Sequence, residues 1–471
     1  MQEMPRFPAE SLIPVLGGLV WLLAGAGSGF FGFLFSVLPG SLLLAGGVAA
    51  ILLPGDERTP QLAALGGALG LVLALPLVLA VGPGLAALLL VLSAVGFVSS
   101  GRTSHRFAEL PQEAEDSGVS PRLALELALD EVNLATIPLG RRSPLGPSPE
   151  QIRDEVEAVR AFFDEQGWLE KPFNYHLDPP PLRAPRLEPV TSRGLRYEHL
   201  SFESEYAPRN GEPGRDRWLG YAANRTAHAW VLRHPGEPRP WLVCLHGFGM
   251  GIPVADLPAF RARELHEKRG LNLLLPVLPL HGPRKEGLRA GDLFLGGAFL
   301  NAIHAEAQAA WDVRRLLGWM CDEQEAPRIG LAGLSLGGYT AALIAALEAK
   351  LACVIAGIPA TDLTALTRRI DSPHALRRLV ATETTWRSIE AVLRVISPLT
   401  MPARVPHGAR YIFGGRHDRI VPPDQVQALW EHWERPRIVW YDGGHVSFHW
   451  KPEVRRLIDD ALRESGMGDA R

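Results

Sequence analysis

The stretch Ile329-Gly330-Leu331-Ala332-Gly333-Leu334-Ser335-Leu336-Gly337-Gly338 decides how this chain reads. An apolar run of strand character ends in G-x-S-x-G, and an alanine-rich segment of helical character, Gly338–Ala349, follows at once. Strand before and helix after is the context in which a serine sits on a sharp turn with its hydroxyl projecting. Such a turn strains the backbone at Ser335, and Gly333 and Gly337 remove side chains that would collide there. The helix after Ser335 aims its first N–H groups and positive dipole end at the same point, where developing negative charge is stabilised. The pentapeptide alone is a weak signal in a chain with 48 glycines. Its flanks and its downstream partners give it weight.

A serine hydroxyl is a poor nucleophile until a base takes its proton. In this context the partners follow in the order acid, then histidine. Gly414-Gly415-Arg416-His417-Asp418-Arg419-Ile420-Val421-Pro422 follows the apolar run Tyr411–Phe413, and Gly443-Gly444-His445 follows Ile438–Tyr441. Each places a candidate in a loop directly after a strand. Asp418 is the expected acid, orienting His445, and His445 the expected proton shuttle. Taken singly, Asp418 reads as a turn carboxylate and His445 as a surface histidine; their joint order favours chemistry. Asp362 is the alternative acid, although it also suits a helix cap. His417 and His449 are the alternative bases. For an oxyanion, the expected donors are the N–H of Leu336 and that of Phe248, in Trp241-Leu-Val-Cys-Leu-His246-Gly247-Phe248-Gly249. His246 reads as a structural loop histidine.

In this order and spacing, H-G-F-G, G-L-S-L-G-G, G-x-x-D-x-x-V-P and G-G-H resemble the α/β-hydrolase superfamily over roughly residues 190–465. Leu280-His281-Gly282-Pro283-Arg284-Lys285 also resembles a turn of a lightly characterised branch of it. The resemblance implies an α/β-hydrolase fold with a mostly parallel sheet and a catalytic triad; with no Gly-rich phosphate loop or clustered metal ligands in the sequence, no cofactor or metal is expected. The expected activity is carboxylic-ester hydrolysis through an acyl-enzyme on Ser335. A serine peptidase of the same fold and a non-enzymatic membrane scaffold are the alternatives, since one fold hosts many activities. A complete triad with an oxyanion loop speaks against a scaffold, and no propeller-like repeat precedes the catalytic region.

The alternation around the motif agrees. Apolar runs at Ala227–Leu232, Trp241–Leu245, Leu271–Leu275, Ile329–Ala332, Leu351–Ala356, Tyr411–Phe413 and Ile438–Tyr441 are separated by helical patterns such as Leu293–Trp319. That pattern predicts βαβ units. A short helical lid is expected over about 361–406, with Arg368, Arg369, Arg377, Arg378, Arg387 and Arg394 as a solvated face or, less simply, a contact to anionic lipid.

The first hundred residues obey other rules. No charged residue occurs between Ser11 and Gly55, or between Thr59 and Gly101. Each uncharged stretch has an apolar part about forty residues long, Leu12–Leu53 and Gln61–Ser99, enough for two spans of ~20 residues each. A cleaved signal peptide is too short to account for them. Four transmembrane helices are expected over 1–100, three being the alternative. Turns are expected at Gly27–Gly29 and Gly82-Pro83-Gly84, with Pro39-Gly40 as an alternative break. Four spans put Arg6, Arg58, Arg102 and Arg106 on one side, which places the catalytic domain in the cytoplasm and the anchor in the cell membrane. Residues 101–190 read as a helical and Pro-rich linker, with helical spacing over Val119–Val132 and Glu150–Phe163. The hydrolase domain follows over 191–471. A net charge of −3 without a basic stripe excludes nucleic acid as a partner. The expected partners are the bilayer and a small-molecule or lipid ester. Cys244, Cys321 and Cys353 show no metal-ligand spacing or disulfide framework.

Overall fold

A computed structural model describes residues 9–111, 118–141, 149–192, 194–295, 300–370 and 383–468. Arg6, Arg377 and Arg378, and the lid residues 371–382, lie outside the described residues. The chain divides into two compact units. The first comprises Met1–Leu139 with Gly415–Pro423 and Trp440–Lys451; the second comprises Gly140–Gly414, Asp424–Val439 and Pro452–Arg471.

In the first unit four helices follow one another: α1 (Leu12–Ala26), α2 (Gly29–Leu52), α3 (Thr59–Val81) and α4 (Pro83–His105). Both expected tight turns are present, at Gly27 and at Gly82, where φ is +80°. Pro39 lies within α2, so the alternative break there is not used. Each sequence-adjacent pair packs together, and α1 also packs on α4, which closes a bundle. The four are long and apolar enough to cross a membrane. Small residues let backbones meet: a Cβ on Gly18 would lie 2.5 Å from Leu44 N, and one on Gly46 would lie 2.5 Å from Ala63 N. Trp21 is buried and donates from Nε1 to Ser93 Oγ at 3.0 Å. A fifth helix, α5 (Pro121–Arg141), belongs to this unit. A Cβ on Gly101 of α4 would lie 1.7 Å from Ala124 O of α5, so the two helices touch backbone to backbone.

The second unit begins with α6 (Pro149–Glu165). The sheet has nine strands among the described residues: β1 (Arg186–Ser192), β2 (Leu195–Glu203), β3 (Thr226–Leu232), β4 (Trp241–Leu245), β5 (Asn272–Pro276), β6 (Ile329–Leu334), β7 (Cys353–Gly357), β8 (Arg410–Gly415) and β9 (Arg437–Tyr441). Their order is β1-β2-β3-β5-β4-β6-β7-β8-β9. Pairing is antiparallel from β1 to β5 and parallel across β5-β4-β6-β7-β8. Every residue of β4, β5, β6 and β7 is buried, as expected for strands covered on both faces. This is the α/β-hydrolase fold that the sequence implies. The apolar runs fall on β3–β9 within about two residues. The pair β1–β2 is not among them, because those strands are partly exposed and carry Glu188, Pro189, Arg196 and Glu198 in place of an apolar run. β1 contains Pro189, which falls in the segment read as a Pro-rich linker.

Candidate active site

β6 ends at Leu334 and the helix Leu336–Leu347 starts two residues later, so Ser335 alone makes the corner. Its backbone stands at φ 56°, ψ −114°, a strained conformation for a non-glycine residue. Ser335 N–H donates to Gly357 O at 2.9 Å, and Ser335 O accepts from Tyr339 N–H at 3.0 Å. These bonds fasten the corner to β7 and to the helix. The flanking glycines are dictated by space. A Cβ on Gly333 would lie 2.0 Å from Gly337 O, and one on Gly337 would lie 2.0 Å from Leu245 O.

The turn after β4 runs beside this corner. A Cβ on Gly247 would lie 3.5 Å from Ser335 Cβ, which brings Phe248 into the serine's neighbourhood. His246, at the root of the turn, is buried and locked. Its Nε2 accepts from Leu278 N–H at 3.0 Å, so Nδ1 carries the proton and donates to Gly247 O at 2.8 Å. Burial pushes its pKa down to about 4, and the ring holds the turn as a neutral strut. Its neighbour His281 is likewise buried and pushed down to about 3. Arg284, from the same turn, is fully buried, pairs with Asp312 at 2.9 Å and donates to Val277 O and Asn224 O at 3.0 Å each. That turn is framework.

Asp418 and His445 meet within the first unit. His445 Nδ1 lies 2.6 Å from Asp418 Oδ2, and both residues are buried. With Nδ1–H donating to a carboxylate, Nε2 keeps a lone pair. The second carboxylate oxygen of Asp418 accepts from Ile420 N–H at 2.9 Å and Val421 N–H at 2.8 Å, and these two bonds fix the orientation of the carboxylate. Burial alone would lower the His445 pKa; the charge and hydrogen bond of Asp418, and the charge of Asp130, outweigh it and raise the value.

Each alternative residue makes other contacts. Asp362 Oδ1 accepts from Thr364 N–H and Ala365 N–H at 2.9 Å each and caps the helix Leu363–Ile370. His417 Nε2 lies 3.1 Å from Asp442 Oδ1 and its ring packs on His105. His449 packs on Phe448. The structure thus brings Asp418 to His445 in one unit, and Ser335, Leu336 and the Phe248 turn together in the other.

Three acidic residues of α5 escaped the sequence reading. Glu126 lies 2.8 Å from Lys451 Nζ, Glu131 lies 2.7 Å from Arg419 Nε, and Asp130 Oδ2 accepts from His445 N–H at 2.5 Å. All three are buried. The signal was present but ambiguous, since charges spaced along an amphipathic helix usually face water. In the second unit Glu306 is buried against Thr340 Oγ1, 3.0 Å away, and burial pushes its pKa up to about 8. Thr340 Oγ1 also lies 3.0 Å from Leu336 O. One hydroxyl proton cannot serve both acceptors, so the raised pKa fits a protonated Glu306 that donates to Thr340. Among the described residues no group of three His, Cys, Asp or Glu side chains is arranged to hold a metal ion. The three cysteines are free.

No family model matches the chain. Esterase YjfP of Escherichia coli K12 is 23% identical to it over 242 residues, covering 50% of this chain and 90% of its own length. Among solved structures, acetyl xylan esterase 1 from a Thermoanaerobacterium species gives a TM-score of 0.42 at 19% identity, covering 60% of this chain and 88% of that one. Oligopeptidase B from Leishmania major gives 0.39 at 13% identity, over 51% of this chain and 35% of that one. Two Mycobacterium tuberculosis proteins, the uncharacterized proteins MT2702 and Rv2627c, are each 45% identical over 354 residues, 74% of this chain and 84% of theirs. At that identity and coverage, the chain belongs to the family of MT2702 and Rv2627c.

Proposed function

We propose that the protein is a membrane-anchored serine hydrolase that cleaves carboxylic esters through an acyl-enzyme on Ser335. The observation that carries the reading is the backbone of Ser335, strained to φ 56° at a one-residue corner between β6 and its helix. Strain of this kind persists where the fold over-determines it, and here it projects a hydroxyl at a helix N-terminus. The name of Esterase YjfP points to the same bond class.

In this mechanism Ser335 Oγ attacks the ester carbonyl as His445 Nε2 takes its proton. Asp418 holds the Nδ1–H tautomer and stabilises the imidazolium. The N–H groups of Phe248 and Leu336 receive the oxyanion. His445 then passes its proton to the leaving alkoxide, the alcohol departs, and the acyl group remains on Ser335. Water deprotonated by His445 attacks the acyl carbon, and as that intermediate collapses His445 returns the proton to Ser335 Oγ, releasing the carboxylic acid and free Ser335.

Membrane anchoring draws support from an inverted surface. Large apolar side chains face outward from the four-helix bundle, with Leu23 72%, Phe30 74% and Leu79 92% exposed, while many of its glycines are buried inside beside Trp21, Leu43, Leu77 and Leu89. Water penalises such a surface and lipid does not. A hydrolase tethered there meets lipid or other apolar esters at high local concentration. The same chemistry cleaves amides, so peptide substrates belong in the test panel.

A fluorophosphonate probe is expected to label the full-length protein in detergent, and Ser335→Ala to remove labelling with unfolding temperature unchanged. Equal labelling of the folded variant overturns the assignment. Turnover of ester substrates above amide substrates supports the esterase reading, and the reverse order replaces it with a peptidase.

A further inference from the structure

We propose that Asp130 of α5 is a positioning residue for His445, a second carboxylate that holds the main chain of the base's loop and adds negative charge beside its imidazole. The inference rests on His445 being the base of the reaction proposed above. Asp130 is fully buried, and both its oxygens are spent on that loop. Oδ2 accepts from His445 N–H at 2.5 Å and Oδ1 accepts from Val446 N–H at 3.2 Å. Two converging N–H donors match a carboxylate and mismatch an amide, which would turn one donor against another.

The glycines before the histidine acquire a reason. A Cβ on Gly444 would lie 2.2 Å from Asp130 Oδ2, and one on Gly443 would lie 2.8 Å from Glu126 Oε2. Gly444 is thus the clearance that α5 needs to bring Asp130 up to the loop, while Gly443 is closed in first by Ser447 Oγ, 2.2 Å from a Cβ there. On either side of Asp130 the helix is clamped to the same two loops. Glu126 pairs with Lys451 at 2.8 Å, and Glu131 pairs with Arg419, next to Asp418, at 2.7 Å. Tyr441 Oη donates to Gly444 O at 2.9 Å and completes the frame.

α5 is in turn fixed to the apolar helices. Ser104 Oγ donates to Glu131 Oε1 at 2.5 Å, and Arg419 donates to Glu57 O, between α2 and α3, at 2.9 Å. The base of the reaction is therefore held by a helix that is itself held by the bundle. The groups facing His445 are Asp418 from the acid loop and Asp130 from α5, with the Glu126–Lys451 and Glu131–Arg419 pairs and Tyr441 around them. Burial and the nearby Asp418 raise the Asp130 pKa, while the two N–H donors and a protonated His445 favour its ionised form, so its charge is felt by the imidazole when His445 is protonated.

The test compares wild type with Asp130→Asn as full-length protein in detergent. Deuterium exchange at the ring C2–H of His445, followed by mass spectrometry, reads the histidine's own pKa without any need for activity. Fluorophosphonate labelling across pH reads the reaction. With Asp130→Asn, the His445 pKa is expected to fall by about one unit, the scale set by a neighbouring charge. Labelling on the high-pH plateau is expected to slow by roughly tenfold or more, as with other lost orienting partners. A His445 pKa that does not move overturns the inference, whatever labelling does. If wild type resists labelling while its His445 pKa still depends on Asp130, the hydrolase reading fails and the Asp130–His445 relation stands. If Asp130→Asn does not fold, Gly444→Ala, whose methyl displaces the carboxylate, is read by the same two measurements against the same outcomes.

Discussion

At the scale of single residues, two aspartates that look alike in sequence carry different work. Asp418 orients His445 through a 2.6 Å contact, whereas Asp362 caps a helix. Asp418→Asn is expected to lower turnover by up to ~10⁴, the loss seen when a triad acid becomes an amide and the wrong histidine tautomer results. Asp362→Asn is expected to change turnover less than about twofold, since asparagine caps as well as aspartate. Steady-state kinetics on both variants checks the assignment, and exchanged phenotypes would move the acid to the loop after β7. The pH dependence has a definite sign. His445 acts as a base only when neutral, and its pKa is raised, so labelling is expected to fall with decreasing pH at a midpoint above the ordinary histidine value. Glu306 gives a stability counterpart. Its folded pKa of about 8 exceeds the unfolded 4.5, so its contribution is complete below the unfolded value and is lost as pH rises through the folded one. Thermal melts of Glu306→Gln are expected to lose that decline between pH 4.5 and about 8, because the amide is neutral throughout.

At the scale of elements, the corner at Ser335 depends on glycine for reasons of space. Gly333→Ala would place a methyl 2.0 Å from Gly337 O. The contact is with backbone, so the corner itself must open, at the upper end of the roughly 1–3 kcal/mol typical of overpacking or beyond it. A sharply lower unfolding temperature, measured by a melting assay, is the expected result. The strands from β3 onward were readable because each forms a short apolar run, most of them buried. β1 and β2 were not, since a half-exposed antiparallel pair spreads its apolar residues among charges. α5 was readable as a helix, while the destination of its acids was not. An amphipathic pattern shows which residues share a face and leaves open whether that face meets water or buried arginine and lysine.

For the whole molecule, the grouping of Gly415–Pro423 and Trp440–Lys451 with the apolar helices ties the acid and base loops to the N-terminal region. A fragment of residues 191–471 lacks α5 and hence every α5 carboxylate that meets Arg419, His445 and Lys451. Its labelling by fluorophosphonate is expected to be far slower than that of the full chain, and equal rates would show that the loops hold themselves. The orientation of the bundle is open to a separate check. A reporter fused after Arg471 is expected to behave as cytoplasmic, because an even number of spans returns the chain to the side of the arginines. A reporter active on the opposite side reverses that reading.

The sequence by itself determined the elbow, the order of acid and histidine, the parallel core and the four apolar helices. Each is written in local periodicity, in turn residues or in a long absence of charge, and each is legible over a few dozen residues. Only the tertiary structure decided that Asp362 is a cap, that His246 is a neutral strut, and that Asp130 reaches the main chain of His445 across 315 positions of sequence. The physical reason is the same in all three. A carboxylate or an imidazole has no fixed role of its own, and its role follows from which donors, acceptors and charges burial places within three ångströms of it.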